Sequence, residues 1–374
     1  MTVKKFTRAG AVLILLAGLA GWRSAKPARQ SERRSESSQP GTDQFRRFDY
    51  TQRKMGTIFE LLIWAPDEKT ADDAAEAAWA RVDRLNRELS DYDPDSEVNQ
   101  LCRRTAAGPM SESVSVSDDL WQMLVDSVEA AGLSDGAFDV TVGPLTRLQR
   151  QSRKTSQLPD PQALKDALQS VGWRYIRLDP ERRRVQLLHA RMQLDFGGIA
   201  KGFTSDQVIK LLSERGLRHA LCGAAGDIKT GDAPPGRGDW RIAIQSLKSP
   251  DQTSDYVHIH DYGVSTSGDT YRSAEIEGKR YSHIVDPRTG LGLTDRIGVT
   301  TVARDAMTTD WTGTAISVLG PTRGLAMIER IDGAAARIVI IDERGNEKFY
   351  ESRRLSQFLV PRQAASAPAD GSVH

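Results

Sequence analysis

Apolar residues recur every three or four positions over residues 71–89, where Ala75, Ala78, Val82, Leu85 and Leu89 form one stripe, and this predicts an amphipathic helix. A second helix is predicted from Ser117, an N-cap followed by Asp118 and Asp119, through Leu120, Leu124 and Val128 to an end near Gly132. Residues 57–64 read as a strand. A short helix is expected after Pro159 and Pro161, then strand-like runs at 175–178, 185–188 and 192–194. Another helix should follow Gly198, with Val208, Leu211 and Leu212 turned to the core and Gly216 as its stop. Strands are expected at 241–245, 256–259, 264–267 and 298–303, and helical spacing returns at 309–319 and 322–331. Helices and strands come in unequal runs and no repeat of fixed period is visible. The fold class is therefore α+β rather than a doubly wound parallel sheet.

Composition narrows the function classes. The 374 residues carry 51 Lys and Arg against 50 Asp and Glu, so no global field exists to hold nucleic acid, and a polyanion partner is disfavoured. The two cysteines, Cys102 and Cys222, exclude a disulfide scaffold and any zinc site built on Cys pairs, and leave one disulfide open. Lys4, Lys5 and Arg8 precede an apolar stretch at 11–22 that is shorter than the ~20 residues of a membrane-spanning helix, so residues 1–22 read as an export signal, with an N-terminal anchor as the alternative. Residues 23–47, rich in Arg, Ser, Glu and Gln, read as a disordered tether. The folded domain is then expected at 48–352, with a flexible tail at 353–374 whose last dozen residues are mostly Ala, Ser, Pro and Gly. This organisation places the protein in a bacterial periplasm, free or held to the inner membrane by its N-terminus.

Four segments carry the candidate chemistry. In Asp195-Phe196-Gly197-Gly198-Ile199-Ala200-Lys201-Gly202 a strand ends in a carboxylate, two glycines free the backbone and a lysine opens a helix, a seat for phosphate or simply a tight turn. The glycine spacing is not that of a Walker A loop. In Thr309-Asp310-Trp311-Thr312-Gly313-Thr314, Asp310 and Thr314 are four apart and share a helix face, which suits Mg²⁺, an ion that takes few protein oxygens; a helix cap is the plainer use of the aspartate. The run Tyr281-Ser282-His283-Ile284-Val285-Asp286-Pro287-Arg288-Thr289-Gly290 couples an imidazole to a carboxylate, fit for proton transfer or for an Asx turn before Pro287. Taken alone, Gly136-Ala137-Phe138-Asp139-Val140-Thr141-Val142-Gly143-Pro144-Leu145 reads as a loop with a buried aromatic and one carboxylate. His258 and His260 alternate on a strand and read as a solvated face.

Together, in this order, the four segments resemble the FAD:protein FMN transferase family, also called ApbE-like, across roughly residues 47–350. Further family-like blocks are Met55-Gly56-Thr57, Leu89-Ser90-Asp91-Tyr92-Asp93-Pro94-Asp95-Ser96-Glu97, Ala225-Gly226-Asp227-Ile228, Gly238-Asp239-Trp240 and Ser265-Thr266-Ser267-Gly268-Asp269. The resemblance implies mixed sheets with flanking helices, an FAD cleft between two lobes, and an enzyme that cleaves FAD with Mg²⁺ and joins FMN through a phosphoester to a Thr or Ser of an acceptor protein, releasing AMP. It further implies FAD contacts at Met55, Tyr92, Ala137, Phe138, Asp139, Asp195, Lys201 and Ile284. Mg²⁺ would be held by the Gly198 carbonyl, Asp310 and Thr314, with the Gly313 carbonyl as a further ligand. His283 matches the family's important histidine, and either it or Asp286 is expected to accept the hydroxyl proton. The implied client is a subunit of a membrane redox complex. Ala225 departs from the family pattern, which has a second glycine there. An FAD pyrophosphatase and a flavin-binding carrier are the rival readings; the intact Asp310 and Thr314 pair argues against the carrier.

Overall fold

The structure, a computed structural model, describes residues 45–249, 253–268, 273–342 and 344–359. Strands β1 (Arg46–Lys54) and β2 (Thr57–Ala65) pair along their whole length through a two-residue turn, Met55-Gly56, with φ of 47° and 73°. Such mirror-image turns match the twist of a hairpin. Helices α1 (Glu68–Leu89) and α2 (Glu97–Arg103), strand β3 (Val114–Ser115), helices α3 (Asp118–Leu133), α4 (Gly143–Thr155) and α5 (Pro161–Gln169), and strands β4 (Ile176–Asp179) and β5 (Arg184–Leu187) follow. Then come α6 (Ala200–Glu214), β6 (Ala220–Ala224), β7 (Asp227–Thr230), β8 (Trp240–Gln245), β9 (Thr253–Ile259), β10 (Gly263–Gly268), β11 (Ser273–Ile276), β12 (Lys279–Ser282), β13 (Ile297–Ala303), α7 (Ala306–Ile328), β14 (Ala335–Ile341) and β15 (Glu347–Glu351).

Eight strands form one sheet in the order β1-β2-β6-β7-β10-β13-β14-β15, with every ladder antiparallel. The expected α+β class is what forms. One face of β2 and β6 buries Phe59, Leu61, Ile63 and Cys222 under the alanine-rich stripe of α1 and under Val208 and Leu212 of α6. On the other face Leu62, Leu221, Ile228 and Val302 meet the two-stranded sheet of β8 and β9 through Trp240, Ile242 and Val257. Side-chain caps fix the starts of α1 and α3: Asp67 accepts from the Thr70 amide at 2.8 Å, and Ser117 from Leu120 at 3.3 Å. Helix α7 is buried nearly all round and packs against α6, β10 and β13. The backbone leaves helical geometry at Gly320 (φ 73°, ψ 178°) just before Pro321, so α7 consists of two helical segments that meet there, as expected from 309–319 and 322–331.

Several expectations change. Residues 192–194 are extended but join no sheet; Gln193 makes one parallel bridge to Val142. The fourth segment is a loop only as far as Val142, because Gly143 starts α4 with Pro144 in its first turn. The body begins inside the expected tether, since Arg46 and Arg47 already pair with Ala65 and Trp64. It also runs into the expected tail. Residues Arg353–Gln357 form a 3₁₀ turn with Leu355 buried, and Arg354 donates to the carbonyls of Ala334, Ile328, Glu329 and Ile331. Cys102 and Cys222 are both buried free thiols, so they form no disulfide. The signal or anchor at 1–22, the rest of the tether and tail, and Asp269 lie outside the described residues.

Candidate active site

The turn Asp195 to Gly198 leads into α6, and both of its ends are held. Asp195 Oδ1 accepts the Gly197 amide at 2.8 Å, while Lys201, the second residue of α6, donates to the Gly197 carbonyl at 3.1 Å. Gly197 is exposed and Gly198 half-exposed, so the turn's backbone faces solvent. Helix α6 crosses the start of α7 closely enough that a Cβ on Gly202 would lie 2.1 Å from the Ala306 carbonyl oxygen. That close crossing brings the first two sequence segments together. Lys201 Nζ lies 3.1 Å from both oxygens of Asp310 and 3.0 Å from Asp227, and the Gly202 amide donates to Asp310 at 3.1 Å.

Asp227 opens β7, opposite Ser265 of β10, whose hydroxyl donates to it. Asp227 and Asp310 are 4% and 6% exposed, so one ammonium serves two buried carboxylates, and the group carries one excess negative charge when both are ionised. Burial, and then the charge of Asp227, push the Asp310 carboxyl up to about 7 in spite of Lys201 and the Gly202 amide. Burial works against the Lys201 ammonium, but the two carboxylates outweigh it and its pKa is raised. Between Thr309 and Val318 every residue of α7 is buried except Thr314. A Cβ on Gly198 would stand 3.0 Å from the Thr314 hydroxyl and 3.4 Å from the Phe138 ring. The expected metal donors Gly198, Asp310 and Thr314 therefore converge, and Gly313 sits beside them, its Cα facing Ser267. Among the described residues no group of three or more His, Cys, Asp and Glu could hold a metal, so any ion here relies on hydroxyl and carbonyl oxygens as well.

The other two segments join this group through apolar contacts. Phe138 packs against Trp311 of α7 with ring centroids 6.1 Å apart, and the Asp195 amide donates to the Val140 carbonyl at 2.7 Å. Ala137, Ile284 and Val318 form one small cluster, which sets His283 one residue from the contact between the third and fourth segments. Met55, at the hairpin turn, receives the Thr204 hydroxyl on its sulfur at 3.5 Å. Tyr92 is 74% exposed, at the rim of a cavity of about 740 Å³ that Arg147, Arg191 and Met192 also line.

Two expected carboxylates are otherwise engaged. Asp139 accepts the amide and hydroxyl of Thr141 at 2.8 and 2.6 Å and the Trp173 amide at 2.9 Å, so its side chain anchors the local backbone. Asp286 has both oxygens on Arg288, at 2.8 to 3.0 Å, and also accepts the Arg288 amide. Burial opposes ionisation there, but Arg288 prevails and the pKa is lowered, which makes Asp286 a weaker base than a free carboxylate. The Asx turn is its actual use. Three residues absent from the expected site do take part in it: Asp227, Arg150 and Asp91. Arg150 Nη2 donates to Asp91 at 2.7 Å and to Asp195 at 2.9 Å. Asp227 had a signal, a carboxylate right after a tight turn. Ala225 in that turn has φ of 53°, a left-handed conformation that favours the glycine it replaces.

The ApbE family model matches residues 55–338 of this sequence, which takes in all of these groups. The chain belongs to the ApbE family. Among its relatives, the FAD:protein FMN transferase of Vibrio cholerae is 30% identical over 314 residues, covering 82% of this chain and 90% of that protein. That of Treponema pallidum is 30% identical over 320 residues, covering 81% and 87%. Solved ApbE structures superpose over 84% of this chain: the Vibrio cholerae flavin transferase with a TM-score of 0.74, 26% identity and all of its chain covered, and the apo flavinyl transferase of Pseudomonas stutzeri with 0.73, 29% and 97%.

Proposed function

We propose that this protein is an Mg²⁺-dependent FAD:protein FMN transferase, which breaks the pyrophosphate of FAD, joins FMN through a phosphoester to a Thr or Ser hydroxyl of an acceptor protein and releases AMP. The observation that carries this reading is the excess negative charge at Lys201, Asp227 and Asp310, which faces the open Gly197-Gly198 backbone and the Thr314 hydroxyl. A hard cation compensates that charge and finds oxygen donors only, the set that Mg²⁺ prefers. Asp310, Thr314 and the carbonyls of Gly198 and Gly313 would hold it, and bound there it would offset charge on the phosphate oxygens as the P–O–P bridge breaks.

Lys201 places a second positive charge at the same phosphates. Met55, Ala137, Phe138, Ile284 and Tyr92 supply apolar and aromatic surface for the rings of FAD. A threonine hydroxyl is a weak nucleophile near neutral pH, and His283 is the group we assign to take its proton. The basic and apolar N-terminal residues support export to the periplasm, with the acceptor a subunit of a membrane redox complex and with the N-terminus as a contact to the inner membrane.

The test is incubation with FAD, Mg²⁺ and a candidate acceptor domain, read by intact mass. A covalent FMN adduct that disappears with EDTA is the expected result; free FMN and AMP with no adduct would make the protein an FAD pyrophosphatase instead. His283→Ala should lower transfer by about 10²-fold or more. Wild-type rates in that variant would remove the histidine from the chemistry.

A further inference from the structure

Tyr92 presents an aromatic ring to solvent, and an exposed ring keeps rotamer freedom that binding must remove. The loop beneath it is already fixed: Asn99 Nδ2 donates to the carbonyls of Ser90, Asp91 and Asp93 at 3.3, 3.1 and 2.7 Å. Over the ring lies the guanidinium of Arg150, 4.2 Å from the ring centroid. Arg150 is itself pinned by Asp91 and Asp195, whose side chains are 15% and 8% exposed. Asp195 also accepts from Thr146 at 2.7 Å, so Thr146 and Arg150, four apart on α4, hold one carboxylate from one helix face. Through its other oxygen Asp195 holds the Gly197 amide. A continuous chain of contacts thus runs from Tyr92 through Arg150 and Asp195 to the turn that meets Lys201.

We infer that Arg150 is a positioning residue for FAD, one that fixes the Tyr92 ring and the Asp195 turn at a set separation so that the ring and phosphate portions of one ligand are met together. The inference rests on the reading of FAD as substrate. Only arginine fits the role, because a planar guanidinium covers the ring while its Nη2 bridges both carboxylates, whereas an ammonium bridges the carboxylates without covering the ring. The ring keeps most of its surface beside the guanidinium, which leaves area for a substrate ring to stack on.

The experiment is a double-mutant cycle on FAD affinity, measured by flavin fluorescence in EDTA so that no metal contributes. Arg150→Ala should weaken binding about tenfold, and Arg150→Lys should recover no more than about a third of that loss. In a Tyr92→Ala background, Arg150→Ala should cost less than about twofold. Circular dichroism melts of each variant establish that the measurement is made on folded protein. Equal losses with and without Tyr92, or full recovery by lysine, would overturn the role of Arg150 while leaving FAD as substrate. A wild-type protein that fails to bind FAD would overturn the substrate reading and this inference with it.

Discussion

One ammonium between two buried carboxylates makes the two partners unequal under mutation. Lys201→Met leaves Asp227 and Asp310 facing each other with no cation, and breaking a buried ion pair in this way costs about 3–5 kcal/mol. Asp310→Asn instead leaves one carboxylate with one ammonium, so stability should stay within about 1 kcal/mol of wild type while transfer falls by roughly 10²-fold or more, because a metal donor is gone. Chemical denaturation of the two variants checks the contrast, and equal losses would show that the charges are not shared as the geometry implies. The sequence pointed to half of this group. Lys201 and Gly198 lie in one strand-to-helix turn, and Asp310 and Thr314 lie one helical turn apart, so local periodicity brings each pair together. Arg150 and Asp91 could not be read this way, since Arg150 reaches Asp195 from α4 and Asp91 reaches Arg150 from the loop after α1. The local engagement of Asp139 and Asp286 was equally hidden from spacing alone. Their carboxylates stand in segments rich in candidate chemistry but are consumed by nearby amides and by Arg288.

Where α6 crosses α7, the site depends on a separation that one methyl group would change. Gly202→Ala would push its Cβ against the Ala306 backbone, and overpacking of this kind costs about 1–3 kcal/mol. The same displacement pulls the Gly202 amide and Lys201 from Asp310, so activity should fall more steeply than the melting temperature; retention of full transfer would mean the crossing tolerates movement. Asp206, on α6, accepts the amides of Ala306 and Met307 at the start of α7, at 2.8 and 2.9 Å. Burial, and then Asp305, push its carboxyl up to about 7 from an ordinary value near 4, against the pull of those amides. The folded state therefore holds the proton more tightly than the unfolded chain. Its stabilising share is complete below about pH 4 and is lost as pH rises through about 7. Urea midpoints should fall between about pH 4 and 7, and Asp206→Asn should flatten that fall by on the order of a few kcal/mol. An unchanged slope would place the titration elsewhere. At this scale α1 and α6 were legible because their apolar stripes are long. Helix α4 was not, because Leu145 and Leu148 are its only large apolar residues and the rest of its sequence is polar.

Across the molecule, the edge of the main sheet decides where the folded unit begins. Composition placed that boundary near residue 48, since Arg46 and Arg47 continue a charged run. Pairing of β1 with β2 moves it earlier, because main-chain hydrogen bonds are indifferent to side-chain polarity. Beyond the ladder itself, Lys54 reaches Asp83 of α1 at 2.6 Å, Tyr50 donates to Asp72 at 2.9 Å, and Phe48 and Tyr50 pack against the core under β2. A chain that starts at residue 45 should keep all of this and melt within about 2 °C of the longer protein, since every contact just named lies within residues 45–359. A chain that starts at residue 56 exposes β2 as a new edge and uncovers part of the core. It should melt at least about 5 °C lower and aggregate more readily, as an unpaired strand edge invites pairing with another copy. It also lacks Met55, so its FAD affinity should drop even at temperatures where it is folded. If the shorter chain matched the longer one in both melting and FAD binding, β1 would be an ornament of the sheet, and the site would begin at β2.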